Sequence, residues 1–170
     1  VGGRLLVDAG ALVTLVTAPG AAPAGGLVRD ASLAAETAYA DYLNAGKQLV
    51  SHDTGAQALA PLCAGADIVL VGEDSPTDAT GLSPRLATVD LCWFGEAGPY
   101  RDWKANDLIV QALTGLPQLA GQVEGPPIHS GDRHSSTVAG VTAYIAALAG
   151  VLAGQPAATR RFQVSILEAN

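Results

Sequence analysis

The chain has 170 residues, 49% of them apolar, which is one domain with enough hydrophobic material for a substantial core. Its net charge of −7 speaks against a nucleic-acid partner, because phosphate backbones need a basic surface. Aromatics are only 5%, so the core must be built from small aliphatic side chains that let a helix come close to a sheet or to a partner.

Residues 3–9 read as the last turns of a helix that stops at Gly10, where a left-handed residue commonly ends a helix. Residues 11–17 (ALVTLVT) form a continuous apolar, β-branched run and predict a buried strand. A Pro/Gly/Ala loop covers 19–26. The chain thus reads as opening in mid-architecture, and a first strand and the start of the first helix are expected ahead of it. Residues 32–43 predict a helix, 44–47 a turn and 48–52 a short strand. Asp53 or Thr54 caps a helix over 55–63 that stops near Gly65. A buried strand over 67–71 (DIVLV) is followed by a polar loop over 72–80, a short helical piece over 82–86 around Pro84, and a strand over 88–93. This alternation predicts an α/β fold with a Rossmann-like, parallel, doubly wound sheet, in which ligands bind at the carboxyl ends of the strands. Those ends lead into loops 19–26, 72–80 and 95–104.

Residues 107–114 then predict a helix ended by Gly115, and the Gly/Pro-rich stretch 116–133 an irregular one. Ser135 or Ser136 caps a long helix to about residue 152, rich in Ala and Gly. After a turn over 155–161, residues 162–170 start as a strand and stop on the beginning of a helix, so both ends read as cut. The reading is a single α/β domain over 1–170, with no internal repeat. Cys63 and Cys92 lie in apolar surroundings and read as buried reduced thiols. No signal peptide is visible, and the weakly polar run 138–152 is too short and too rich in Ala and Gly to span a bilayer. A cytoplasmic protein with no membrane partner is the expectation.

Titratable residues concentrate between Trp93 and Gly140. Asp132, His134 and Ser136 alternate just before a helix N-terminus, with His129 close by. His134 could act as a base for Ser136 or as a proton shuttle with Asp132, with an oxyanion held by the helix end. The plainer alternative makes a serine the N-cap and the histidines solvated loop residues. Two His and one Asp lack a fourth ligand, so no metal is expected. Arg29 and Lys47 follow strand-end loops and, with Lys104, could hold phosphates; the alternative is ordinary surface charge. Gly95, Gly98 and Pro99 shape a tight loop, Trp93 and Trp103 read as packing residues, and Asp107 reads as the cap of its own helix. No Gly-x-Gly-x-x-Gly fingerprint occurs, which speaks against NAD.

Several segments recur in an order that resembles the class III CoA-transferases, the CaiB/BaiF family. They are Gly3 with Arg4 through Ala11, Asn44-Ala45-Gly46-Lys47, Ala66-Asp67-Ile68-Val69, and Phe94-Gly95-Glu96-Ala97-Gly98-Pro99-Tyr100 with Asp107, Gln111-Ala112 and Gly115. Gly125-Pro126-Pro127, Gly140, Ala146-Ala147-Leu148 and Val164 through Ala169 continue the series. The resemblance implies a Rossmann-like large domain, coenzyme A bound as an acyl-CoA thioester substrate, and an interlocked homodimer or a heterodimer with a related chain. It covers only the N-terminal part of that family's length, with the small domain absent. With CoA as the ligand, the phosphate-holding candidates are Arg29, Lys47 and Lys104, and Gly72, Gly95 and Gly98 are the loop glycines that would lie beside the thioester. The family's transferases carry a nucleophilic Asp four residues before the glycine equivalent to Gly140; this chain has Ser136 there. The related 2-methylacyl-CoA racemases use a His at the position of Asn106, and the Glu-Asn pair ending the third strand is replaced by Val71-Gly72. Three functions stay open: a transferase using Ser136, Asp132 and His134, a non-catalytic CoA-thioester-binding subunit, and a racemase-like isomerase.

Overall fold

The structure is a computed structural model and describes residues 1–19, 33–53, 55–73, 75, 81–131, 133–154 and 159–170. In chain order its elements are α1 (Gly2–Asp8), β1 (Thr14–Thr17), α2 (Leu33–Asn44), β2 (Gln48–Ser51), α3 (Ala56–Gly65), β3 (Ile68–Val71) and β4 (Ala87–Cys92). There follow α4 (Asp107–Thr114), α5 (Leu116–Leu119), α6 (His134–Leu152), β5 (Arg160–Ser165) and α7 (Ile166–Ala169). The strands pair in parallel, and β3, Ile68–Val71, has the uninterrupted apolar sequence of a strand covered on both faces. Their hydrogen bonds form two ladders, β1 with β2 and β3-β4-β5 with β4 in the middle. Val16 of β1 and Val69 of β3 pack on one apolar cluster with Leu59, Cys63, Val71 and Leu82, so side chains meet where backbone pairing does not. The fold is the expected α/β architecture of parallel sheets flanked by helices.

The main core joins β4, β5, α4, α6 and α7 through Val89, Val110, Ala139, Ala143, Ala147, Val164 and Ile166. Alanines at every fourth position of α6 make one stripe on the helix and let it lie flat against the sheet. Two glycines take this further. A Cβ on Gly150 would stand 2.9 Å from Ala87 Cβ, and one on Gly140 would stand 2.7 Å from Val1 Cβ. The crossings of α6 with β4 and with α1 therefore exclude even a methyl group. At 19 residues, α6 is longer than the apolar run read from sequence and passes for a membrane span by length and composition alone. Its Ala/Gly stripe is buried in the core, while Val141, Ile145 and Leu152 are exposed.

Several local expectations change. Residues 82–86 form no helix, because their backbone groups pair with distant segments: Arg85 N–H with Ala66 O at 2.8 Å, Leu86 N–H with Asp67 O at 2.9 Å, and Pro84 O with the Thr159 hydroxyl at 2.9 Å. The stretch after Gly115 is not wholly irregular, since Pro117 seeds the single turn of α5. Neither serine caps α6. Its N-cap is Arg133, in a left-handed conformation at φ 65° without a side-chain cap, and Ser135 and Ser136 lie in the first turn. Ahead of α3, Asp53 Oδ1 accepts the Gly55 N–H at 2.9 Å, while Thr54 lies outside the described residues. Both cysteines are free: Cys63 is buried, Cys92 half-buried, and burial raises the pKa of each.

Candidate active site

The carboxyl end of β4 runs through a loop into α4, and the N-terminus of α4 meets the N-terminus of α6. The first turn of α4 decides the geometry. Asn106, not Asp107, caps this helix, its Oδ1 accepting the Ile109 N–H at 3.0 Å. That leaves the Asp107 carboxylate for the other helix. Oδ1 accepts the Ser136 N–H at 2.8 Å and Oδ2 the Ser135 N–H at 3.2 Å. Asp107 therefore supplies from another element the cap that α6 lacks, and a negative charge sits at the positive end of the helix dipole.

Gln111 lies one turn after Asp107 on the same face of α4 and is fully buried. Its Nε2 donates to Asp107 Oδ2 at 2.7 Å and to Gly131 O at 3.1 Å, and its Oε1 accepts the Ser130 N–H at 3.1 Å. One buried amide thus ties α4, the 129–131 loop and the start of α6 together. His129 Nε2 lies 3.4 Å from Gln111 Nε2, a weaker contact, since the amide's two hydrogens already have closer acceptors. From the far end of the chain, Asn170 Nδ2 donates to Ser135 O at 3.3 Å.

Burial pushes the Asp107 carboxyl up, but the Ser136 N–H, the Gln111 amide, the Ser135 N–H and the Ser136 hydroxyl outweigh it and hold the group below its ordinary range. Asp107 is therefore ionised at neutral pH and a weak base. It accepts from the Ser136 hydroxyl without being suited to remove its proton. Two amides at the α6 N-terminus are already committed to this carboxylate, so the helix end does not stand open for an oxyanion. Ser136 is half-buried; Ser135 is fully buried, and its Oγ finds no partner among the described residues.

The other residues singled out from sequence are spread more widely. His134 is exposed at the first position of α6 and lies two residues from Ser136, a spacing that does not bring side chains together on a helix. Asp132 and Arg29 lie outside the described residues. Lys47 stands at the amino end of β2, with Nζ on Asn44 Oδ1 at 3.0 Å, whereas Gly72 follows the carboxyl end of β3 and Gly95 that of β4. Burial and the nearby Arg4 lower the Lys47 pKa. Gly95 and Gly98 adopt φ of 86° and 98°, which only glycine takes without strain, and Lys104 is exposed on the same loop. Trp103 is exposed, yet it packs edge-on to Phe94 and tilted against Tyr100.

Beside this network, Leu108, Ala112, Gly115, Pro117, Gln118, Pro127 and His129 line a pocket of about 300 Å³. His129 is shared between the pocket and the Gln111 network. Among the described residues, no three His, Cys, Asp or Glu side chains come together as a metal site. Gln111 was not among the residues singled out for chemistry, although its spacing of four from Asp107 was the available signal.

The profile of CoA-transferase family III matches residues 1–168. The probable CoA-transferase Rv1866 of Mycobacterium tuberculosis is 31% identical over 158 residues, covering 85% of this chain and 20% of that protein. The formyl-CoA:oxalate CoA-transferase of Streptomyces avermitilis is 30% identical over 164 residues, covering 88% of this chain and 38% of that protein. Among solved structures, the hypothetical protein Rv3272 of Mycobacterium tuberculosis superimposes with a TM-score of 0.76 at 26% identity, over 99% of this chain and 50% of that one. The chain thus spans about half the length of this structural neighbour and less of the two curated relatives.

Proposed function

The chain belongs to CoA-transferase family III, and from that membership we propose that it binds an acyl-CoA thioester and takes part in moving CoA between carboxylic acids. The observation that carries this reading is the meeting of α4 and α6 at the carboxyl end of β4, within a family match that runs over residues 1–168. In this reading the Gly95–Gly98 turn and Gly72 lie along the thioester, with Lys104 and Arg29 toward the phosphates. Lys47 faces the amino end of β2 and stands apart from that cradle.

The covalent step falls to Ser136, with Asp132 as proton acceptor, since His134, two residues before Ser136 on the same helix, does not face it. The serine oxygen attacks the acyl carbonyl, its proton passes through the base to the departing sulfur, and the carbon–sulfur bond breaks to leave an acyl-serine ester and free CoA thiol. This is the acyl-capture half of the reaction and does not by itself pass CoA to a second acid. A second reading, a CoA-thioester-binding subunit without chemistry of its own, is favoured by the same position. A serine replaces the carboxylate that would form an anhydride, and its nearest described carboxylate, Asp107, is a weak base. The racemase-like reading loses support from Asn106, whose side chain caps α4 and cannot shuttle a proton. A second chain, identical or related, belongs to the reading, and the exposed Leu108, Leu113, Val141 and Ile145 are apolar surface for it. A cytoplasmic setting without nucleic acid or membrane goes with it.

Incubation with acetyl-CoA, with and without hydroxylamine, followed by intact-mass and peptide mass spectrometry tests the proposal. An acyl adduct on Ser136 or Asp132, or its hydroxamate, supports transfer. Calorimetric binding of acetyl-CoA without any adduct supports the binding subunit and overturns transfer by this chain. No binding at all overturns both.

A further inference from the structure

The loop between β4 and α4, residues 93–106, presents Gly95, Gly98 and Lys104. Much of it is folded on itself. Phe94 is buried, and the ring centroids of Phe94, Tyr100 and Trp103 lie 5.9, 6.3 and 4.6 Å apart pair by pair. Trp103 N–H donates to Tyr100 O at 2.9 Å, and Arg101 pairs with its neighbour Asp102 at 3.1 Å. Among the described residues of this loop, the side chain that forms an ion pair with another element is Glu96.

Its partner is Arg161 on β5. The guanidinium donates from Nη1 to Glu96 Oε2 at 3.2 Å and from Nη2 to Glu96 Oε1. This is the two-pronged geometry that fixes direction as well as distance. Nη2 also reaches Asp90 Oδ2 at 2.8 Å. Thr88 of β4 stands opposite Arg161, so Asp90, two residues on, lies diagonally across on the same face of the sheet. The side chain of Asp90 is only 16% exposed, against 34% for Arg161 and 49% for Glu96. The guanidinium is thus seated on the rigid central strand by its more buried carboxylate, and the loop carboxylate comes to it.

The glycines on either side give this contact its consequence. Gly95 and Gly98 bracket Glu96 and both sit in left-handed backbone conformations that cost glycine nothing to enter or leave. With such hinges on either side, the piece that carries Glu96 is tied to the sheet by this ion pair, beside the aromatic and backbone contacts that the loop makes within itself. We propose that Arg161 is a positioning residue for the acyl-CoA site: seated on Asp90, it clamps Glu96 and sets the pose in which the loop offers Gly95, Gly98 and Lys104 to the thioester. The proposal rests on the acyl-CoA reading above.

Calorimetry with CoA and acetyl-CoA, amide hydrogen exchange and thermal unfolding, applied to the whole chain as wild type, R161Q, R161K, E96Q and the R161Q/E96Q double variant, test it. E96Q leaves Asp90 paired and so covers the case in which R161Q fails to fold. R161Q and E96Q each weaken CoA binding by about threefold to tenfold, on the scale of one partly exposed ion pair, and speed exchange over residues 94–104. The double variant is no weaker than the worse single one, because both remove the same clamp. R161K restores part of the affinity, since an ammonium pairs with a carboxylate but cannot fork. Wild type that binds CoA beside R161Q and E96Q that bind equally well overturns the positioning role alone. That role is equally overturned if unfolding temperature drops while loop exchange and CoA affinity stay as in wild type, the signature of a merely structural ion pair. Wild type that binds no CoA overturns the acyl-CoA reading itself, and the site role falls with it.

Discussion

Replacing Asp107 by alanine removes one carboxylate and takes the acceptor from two backbone N–H groups, the Gln111 amide and the Ser136 hydroxyl. The Ser135 and Ser136 N–H groups lose their acceptors at the start of α6, and the buried Gln111 amide loses its 2.7 Å partner. Loss of a helix cap costs about 1 kcal/mol, and an amide hydrogen deprived of a charged acceptor in a buried setting costs about 1–2 kcal/mol more. The remaining amide hydrogen keeps Gly131 O, which holds the sum at about 2–3 kcal/mol. For a domain of this size that is a fall of roughly 4–12 °C in Tm on thermal unfolding, and urea unfolding followed by circular dichroism measures the free-energy loss directly. Asp107→Asn keeps an oxygen for one N–H but loses the charge, so it falls between wild type and alanine. The pH dependence has a definite sign. The folded pKa of Asp107 lies below the unfolded value, so its stabilisation is fully present above about pH 4 and is lost as pH falls through the folded pKa. Asp107→Asn therefore narrows the gap to wild type as the solution is acidified. A loss below about 0.5 kcal/mol in Asp107→Ala, or a gap that does not shrink in acid, refutes the cross-helix cap.

Three further outcomes follow from the packing and the polar network. Gly150→Ala puts a methyl group 2.9 Å from Ala87 Cβ and destabilises the fold by about 1–3 kcal/mol in urea titration, the cost of overpacking, despite alanine's better helix propensity. Gln111→Ala frees the 129–131 loop from α4, and limited proteolysis cuts there faster than in wild type. Cys63, buried with its pKa pushed up by desolvation, reacts with a thiol reagent at neutral pH only as fast as the chain unfolds, while half-buried Cys92 reacts sooner.

The parts legible from sequence were those whose cause is local. The run Ile68-Val69-Leu70-Val71 is apolar on both faces and becomes β3; Gly115 stops α4 in a left-handed conformation. What escaped was set by partners far along the chain. Residues 82–86 read as a short helical piece around Pro84, but the N–H groups of Arg85 and Leu86 are claimed by Ala66 and Asp67. Asp107 has the spacing of an ordinary N-cap, yet Asn106 takes that task and the carboxylate crosses to residues 28 and 29 positions away. A short side chain one residue earlier was enough to redirect it. Lys47 follows a turn that resembles a phosphate-binding strand end, but the turn precedes β2, so it stands at the strand's other end.

The glycines and alanines of α6 have one more consequence. A helix is stiff along its length, so α6 transmits a tilt as a beam does. Ser136 stands about 21 Å from Gly150 at about 1.5 Å per residue. A bulkier residue that lifts the Gly150 end off Ala87 swings the opposite end against Asp107, where hydrogen bonds tolerate only a few tenths of an ångström. Substitutions where α6 crosses β4 would then shift the contact between Asp107 and Ser136 from a distance. The pairing of Asp107 with Ser136 is the gauge on which such a tilt would be read.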